Sequence, residues 1–529
     1  MKAKPKRRGI GIGVVRIGVV TTGILLLGVL ALGIVGIVGA ERGGVGVGEQ
    51  VDDPPPEVRA IAPEVLFERL SGAWEINGSF TMGEQEILFI GTRTAVLTGP
   101  TAADFVAIME GEEEAETGEA WWDAEKGKLV IAEGDEEPRY FDLLANGYGA
   151  SYELEGGLPE FGITENLSCQ EIEIFVGEDT LVHSWVARNE TGVVVAEWEG
   201  TFTRTDEWHV VEGISIQDAI DNADEGDTVV VHEGIYEEQL YIAKSLDLRA
   251  AESEGGERES ERPEIRAPAE VLEEYFIETK MMSMSATPVV MVNGSSGNIS
   301  VDITGFVIDG SSASVDIDGI VYYNADGIIE GNEIKNIWGE FIEEEKVWLN
   351  GAGIAVFSDS NITINENDIH DYTNWGVGIF ANPKAVVTEN TVIGLSSKDF
   401  PDQCGILIMG ATATVNDNTI SGHVYTDEWW YAPAIGFFES NGSAQGNTLT
   451  DNQAGFWIVA GMEGVGQCSV FIEDNAVNAA GLSGVEPSGI VLGTYARSPP
   501  YYIGEGYITA TIDNNQFTGG SGYRYYHRR

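Results

Sequence analysis

A short frame recurs through the C-terminal half of the chain: a small residue, alternating apolar residues, an interval, then an Asn followed two positions on by another apolar residue. It reads GIVY at Gly319 with Asn332, GIAV at Gly353 with Asn367, GVGI at Gly376 with Asn390, and GILI at Gly405 with Asn418. It continues as AIGF at Ala434 with Asn447, GFWI at Gly455 with Asn475, and GIVL at Gly489 with Asn515. The Asn follows by 13 or 14 residues in the first five cases and by 20 and 26 in the last two. Units with two short β-type segments, Asn/Gly bends and a period mostly in the twenties cannot each bury a core alone. They must stack on one another, which predicts a solenoid. Seven repeated Asn are too many for one catalytic group. At a bend they tolerate the left-handed backbone, and each amide can bond to the Asn above and below as a polar ladder.

A chain of 529 residues with 86 acidic and 29 basic side chains carries a formal charge of −57. Such a surface repels phosphate backbones and anionic lipid, so nucleic acid is not an expected partner. Three Cys (Cys169, Cys404 and Cys468) make no disulfide framework.

Five basic residues, Lys2, Lys4, Lys6, Arg7 and Arg8, precede an uncharged stretch at 17–40, long enough to span a bilayer. Residues 1–40 are therefore expected to be a signal anchor or a cleaved signal peptide, placing the remainder outside the cell, membrane-anchored or secreted. Seven Asn-x-Ser/Thr sequons (Asn77, Asn166, Asn189, Asn293, Asn298, Asn361 and Asn441) fit an exported glycoprotein. Residues 41–58, Gly-rich and then Pro-rich, read as a linker. Short alternating apolar runs over 59–206 predict an antiparallel β barrel or sandwich. The solenoid is expected over 207–523, with a basic tail at 524–529 that is either frayed or a subunit contact.

The solenoid opens with ISIQDAIDNADEGDTVVVHEGIYEE, in which Ile216, Ala219, Ile220 and Ala223 share one helical face and Ser215 with Asp218 forms a cap. A helix covering the open end of the stack, then GDTVVVHEGIYEE and a KSLDL strand, resembles the start of right-handed parallel β-helix proteins of the pectin lyase-like superfamily. The resemblance implies an all-β solenoid whose loops hold polysaccharide. The Asp-Asp, Gly-His-Gly and Arg-x-Lys signatures of polygalacturonases do not occur. In outline the repeats are also similar to archaeal surface β-helices and to copper-handling accessory proteins of nitrous oxide reductase. Met281, Met282 and Met284 with Met291 could accordingly bind Cu(I) or simply fill core, and Ca²⁺ could sit on acidic turns. In the N-terminal β segment, Gly72 and Trp74 resemble the GxW opening of lipocalins, and Arg204 stands where that family packs an Arg on the Trp.

Function is expected where the frame is broken, at 338–350, 395–403, 423–433, 459–468 and 495–507. These segments and their surroundings carry Trp338, Trp348, Trp375, Trp429, Trp430, Tyr431, Tyr501 and Tyr502, a set suited to stacking on sugars or to local packing. Candidate acid/base groups are Asp371 beside His370, Asp427 and Glu439, with Asp402 and Asp309 as further carboxylates. The sequence reading is thus an exported β-helix that binds glycan or cell-envelope polysaccharide through loops on one side. Its alternatives are a hydrolase or lyase in the same groove, and a self-associating surface-layer or adhesin-like subunit.

Overall fold

The computed structural model describes residues 60–527 apart from 83–84, 111–114, 134–137, 156, 159–162, 178, 252–261, 270–272, 282, 343–346, 398–402, 426–431, 461–466, 483–486, 495–506 and 520. The apolar stretch 17–40 lies outside these residues, and no described helix is long and apolar enough to cross a membrane. The described chain divides into two compact units, up to Thr205 and from Asp206 onward.

Of the two architectures open for the N-terminal unit, the structure is the barrel. Ten antiparallel strands follow a short helix α1 (Pro63–Leu70): β1 (Gly72–Met82), β2 (Gln85–Gly99), β3 (Ala102–Met109), β4 (Glu116–Asp123), β5 (Lys128–Glu133), β6 (Arg139–Leu144), β7 (Gly147–Leu154), β8 (Leu167–Phe175), β9 (Thr180–Arg188) and β10 (Val194–Thr205). Each pairs with the next, and β1 closes the circle by pairing with β10, so no edge remains to recruit another strand. Leu66, Phe67 and Leu70 of α1 are buried among Trp74, Phe175, Trp198 and Phe202.

The GxW geometry is physical. Trp74 lies opposite Arg204 in the β1/β10 register, and the guanidinium stands 4.4 Å above the indole. Arg204 Nη1 and Nη2 then donate to the carbonyls of Ser71 and Arg69, and Trp74 Nε1 donates to Leu70 O, so both side chains satisfy the C-terminal end of α1. Gly72 makes this approach possible: its φ is +139°, and a Cβ there would meet Arg204 Nη1 at 2.1 Å. Gly72→Ala is expected to cost the barrel roughly 2 kcal/mol, read as a lower urea midpoint with an unchanged slope.

From Asp206 onward the chain is a parallel solenoid of three sheets, with 11, 10 and 10 strands. Each coil contributes one short strand to the first sheet, one to the second and one to the third. One complete coil runs Asn361–Asn365, Asp368–His370, Trp375–Phe380. Inward positions form unbroken apolar columns, such as Ile308, Ile334, Ile369, Val392, Ile420 and Leu449 in the second sheet. Helix α2 (Ile216–Asn222) leads into this stack with Ile216, Ala219 and Ile220 buried, and Ser215 caps it by accepting from Asp218 N.

The repeated Asn all fall at the bend between the first and second sheets and form a continuous ladder. Asn332 Nδ2 donates to Asn367 Oδ1 (3.0 Å), Asn367 to Asn390 (2.9 Å), Asn390 to Asn418 (2.9 Å), Asn418 to Asn447 (3.0 Å), Asn447 to Asn475 (2.8 Å) and Asn475 to Asn515 (2.8 Å). The residue before each Asn is left-handed in Glu366, Glu389, Asp417, Asp474 and Asn514.

The third sheet buries its outer face as well, through Phe357, Phe380, Leu407, Phe438 and Trp457. A hairpin of Tyr275–Glu278 with Ser283–Ala286, from the early insertion, packs there through Ile277, Ala286, Met281 and Met284. Met291 is buried in that apolar cluster and Met281 and Met284 pack against it, a core-filling arrangement; Met282 lies outside the described residues. The tail departs from expectation: Ser521–His527 is the last strand of the third sheet, paired with Ser488–Thr494, so coil formation extends through residues assigned to the tail.

Candidate functional site

The sequence NEIK at 332–335 and NDIH at 367–370 occupy equivalent places in adjacent coils: a ladder Asn, then a second-sheet strand with an inward Ile at its centre. Residues on either side of that Ile must point outward. Glu333, Lys335 and His370 therefore meet on the outer face of the second sheet, with Asp371 at the bend that follows.

His370 stands between two carboxylates: Nδ1 is 2.7 Å from Asp371 Oδ2 and Nε2 is 3.4 Å from Glu333 Oε1. Lys335 Nζ pairs with Glu333 Oε1 at 3.0 Å. The site is open to solvent, with Asp371 about half exposed and His370 a quarter exposed. Asp371 is held left-handed, with φ 52°. Its carbonyl accepts from Ile337 N at 2.8 Å, so Trp338 leaves the same corner of the solenoid one coil earlier. The Trp338 side chain is 41% exposed. An exposed indole leaving the same corner as two carboxylates, an imidazole and an ammonium has the chemistry to stack on a pyranose and bond its hydroxyls. The two acids, separated by the width of an imidazole ring, could also divide proton donation and acceptance.

The other predicted residues distribute differently. Glu439 sits in the bend between the third and first sheets with φ 50°, a different corner from Asp371, so the structure separates it from the His370 group. Asp309 is buried, its Oδ1 accepting from Ser311 N and Asn336 Nδ2, which is a turn-fixing role. Trp375 is partly buried and packs 4.5 Å from Phe380 against the covered third-sheet cluster, away from the His370 corner. Trp348 lies on a short hairpin strand, Val347–Leu349, opposite Phe341. Asp402, Asp427, Trp429, Trp430, Tyr431, Tyr501 and Tyr502 lie outside the described residues. Of the five frame-breaking segments, the first three leave between the second and third sheets, whereas 459–468 and 495–507 leave between the third and first. They form two groups, not one. The sequence reading passed over Glu333, although the match of NEIK to NDIH carried the signal.

A second polar chain, Tyr372 OH to His423 Nε2 and His423 Nδ1 to Asn452 Oδ1 (2.7 Å), is fully enclosed. Burial pushes His423 down to about 4, so it acts as a neutral corner spacer. The three cysteines are free and buried, and burial raises their thiols, Cys169 to about 12 and Cys468 to about 11. Among the described residues no group of three or more His, Cys, Asp or Glu is arranged to hold a metal ion.

Residues 289–470 match the family described as "Right handed beta helix region". The C-terminal unit is a right-handed parallel β-helix. No curated protein matches the chain. Among solved structures, the Family 28 exopolygalacturonase of Yersinia enterocolitica is 11% identical, with 67% of this chain and 76% of that one covered and a TM-score of 0.39. The polygalacturonase from Erwinia carotovora ssp. carotovora is 13% identical, with 61% and 96% covered and a TM-score of 0.33. The S-type phycobiliprotein lyase CPES from Guillardia theta is 12% identical, with 27% of this chain and 93% of that one covered and a TM-score of 0.21. At these identities the likenesses concern the fold alone.

Proposed function

Taking the C-terminal unit as a right-handed parallel β-helix, we propose that it is a polysaccharide-binding protein of the cell surface or extracellular space. Sugar is held where the second sheet meets the third. Trp338 stacks on a pyranose face, and Glu333, His370 and Asp371 bond the hydroxyls of the next residues along the chain. The observation that carries this reading is the exposed Trp338 at the corner that also presents His370 between two carboxylates. Export follows in this reading from the basic and apolar N-terminal segment, which either anchors the chain or is removed.

The full chain is expected to bind at least one member of a panel of acidic and neutral polysaccharides, and Trp338→Ala is expected to weaken that binding roughly tenfold while leaving the melting curve in place. Loss of no affinity in Trp338→Ala would remove this corner as the site. A second reading, hydrolysis or elimination in the same groove, is favoured by the two acids flanking His370. It requires new reducing ends or unsaturated products from a bound polymer and their loss in Asp371→Asn. Binding without product would leave the protein a binder.

A further inference from the structure

The two ends of the solenoid differ. At its start, helix α2 buries Ile216, Ala219 and Ile220. At the other end, Tyr507–Asp513, Gln516–Thr518 and Ser521–His527 are the end strands of the first, second and third sheets, and among the described residues each is paired on one side only. Ile508, Ala510 and Ile512 extend the inward columns of Cys468, Val470 and Ile472. Those three are buried, whereas Ile508, Ala510 and Ile512 are only partly so. The Asn ladder stops in the same place: Asn515 accepts from Asn475, and its amide donates to the carbonyls of Ile472 and Asp513, with no further rung among the described residues. An open strand edge backed by apolar side chains is a template for another strand, and a solenoid normally covers such an end.

Two features of this coil point to a second copy of the chain as the cover. The first is charge. The chain carries −57, yet residues 507–527 contain one acid, Asp513, and one strong base, Arg524, so the coil is formally neutral with His527 uncharged. The coil before it, 467–494, holds Glu473, Asp474 and Glu486 and no basic residue. This end therefore lacks the local excess of like charge that opposes contact between two copies. The second feature is residue order. Ile508, Thr509, Ala510, Thr511 and Ile512 read the same in both directions. Two solenoids set end to end wind in opposite senses where they meet, so their edge strands run antiparallel. A two-fold axis beside Ala510 then sets Ile508 opposite the partner's Ile512 on the core face. On the outer face it sets Thr509 opposite the partner's Thr511 and Tyr507 opposite the partner's Asp513. Apolar pairs and Thr–Thr pairs across strands both stabilise a sheet.

We propose that the coil 507–527 is a homodimer interface, in which the Tyr507–Asp513 edge pairs antiparallel with the same edge of a second copy about a two-fold axis at Ala510. The first sheet then continues from one copy into the other, and Ile508 and Ile512 of both copies become core. The contact is isologous and occupies the edge completely, so assembly stops at two chains and does not grow into a filament.

The test is the protein mass of the full chain by light scattering, in mild detergent so that the apolar stretch at 17–40 does not itself associate. A mass of two chains is expected at about 10 µM. Thr509→Lys combined with Thr511→Lys, both at exposed positions, is expected to weaken dimerisation at least about tenfold, by setting ammonium groups opposite one another, with the melting curve of the monomer in place. Thr509→Glu combined with Thr511→Glu is expected to do the same alone. An equimolar mixture of the two variants is expected to regain dimers, because each Lys then faces a Glu, and this rescue separates broken pairing from a misfolded coil. A parent chain that stays monomeric at about 100 µM overturns the proposal. So does a parent assembly larger than two, a dimer that the Lys pair leaves intact, or a Lys/Glu mixture that remains monomeric.

Discussion

Replacing Asn418 by Leu is expected to destabilise the solenoid by roughly 4 kcal/mol or more. Asn418 is fully buried and bonded in every direction. Its amide donates to Asn447 Oδ1 (3.0 Å), Val387 O (2.9 Å) and Asn416 O (2.9 Å), and its Oδ1 accepts from the backbone N (3.0 Å) and Nδ2 (2.9 Å) of Asn390. Leucine is near enough in size to occupy the space, so cavity formation is not the main effect. The loss is electrostatic: carbonyls and N–H groups of two adjacent coils are stranded where water cannot reach them. Asn418→Asp should also be severely destabilising, because an ionised carboxylate accepts from Asn390 but cannot donate to Val387 O or Asn447 Oδ1. The check is equilibrium urea unfolding followed by far-ultraviolet circular dichroism. A loss under about 1 kcal/mol for the Leu variant would mean that the ladder is not a stabilising element.

The ladder was legible in the sequence because repetition removes ambiguity. One Asn before an apolar residue means little, whereas seven at the same place in successive frames can only be a bend that every coil shares. The Gly72, Trp74 and Arg204 relationship was legible for a related reason, since three unusual positions agree on one packing arrangement. The barrel interior was not. In EIEIF at 171–175 the alternation by itself places Ile inside and Glu outside, yet the structure buries Glu171 and Glu173 completely and leaves Ile172 and Ile174 only half buried. The phase is fixed by Leu167, Cys169 and Phe175 on the same strand face and by Arg93 from a strand about 80 residues earlier, a pairing that no local pattern contains. A one-residue choice of phase exchanges the two faces of a strand.

The solenoid site shows the same limit at a larger scale. That insertions carry aromatic and acidic side chains can be read directly. Which bend each insertion leaves from depends on whether it follows a second-sheet or a third-sheet strand, and the short apolar runs of those strands look alike. Hence Glu439 and Asp371 are both acidic, both left-handed and both at coil bends, yet they stand at different corners. Besides its sequence neighbour Asp371, His370 has a second partner, Glu333, which comes from the preceding coil, because neighbours across a solenoid are one period apart in sequence.

Asp318→Asn is expected to stabilise the protein at pH 8 by on the order of 4 kcal/mol and to leave it unchanged near pH 4. Asp318 is fully enclosed beside the bend between the second and third sheets, and burial raises its carboxyl from 3.8 to about 7, against the backbone N–H of Ala352, Thr287 and Gly351, which favour the charged form. The folded state therefore keeps a proton that the unfolded chain releases near pH 4. Stability tied to this group is fully present below about pH 4 and declines as pH rises toward 7, after which the deficit is constant. Asparagine abolishes the titration while preserving an oxygen for Ala352 N, which Asp318 Oδ1 accepts at 3.0 Å. It also brings a donor to an enclosed region where Asp318 Oδ2 and Asn350 Oδ1 are both acceptors without a donor among the described residues. Asn350 is anchored to the same turn by its own amide, which donates to Asp316 O at 3.0 Å. Urea midpoints of parent and variant measured from pH 4 to pH 8 should diverge steadily up to about pH 7 and then run parallel. Parallel curves across the whole range would show that Asp318 titrates as an ordinary carboxylate.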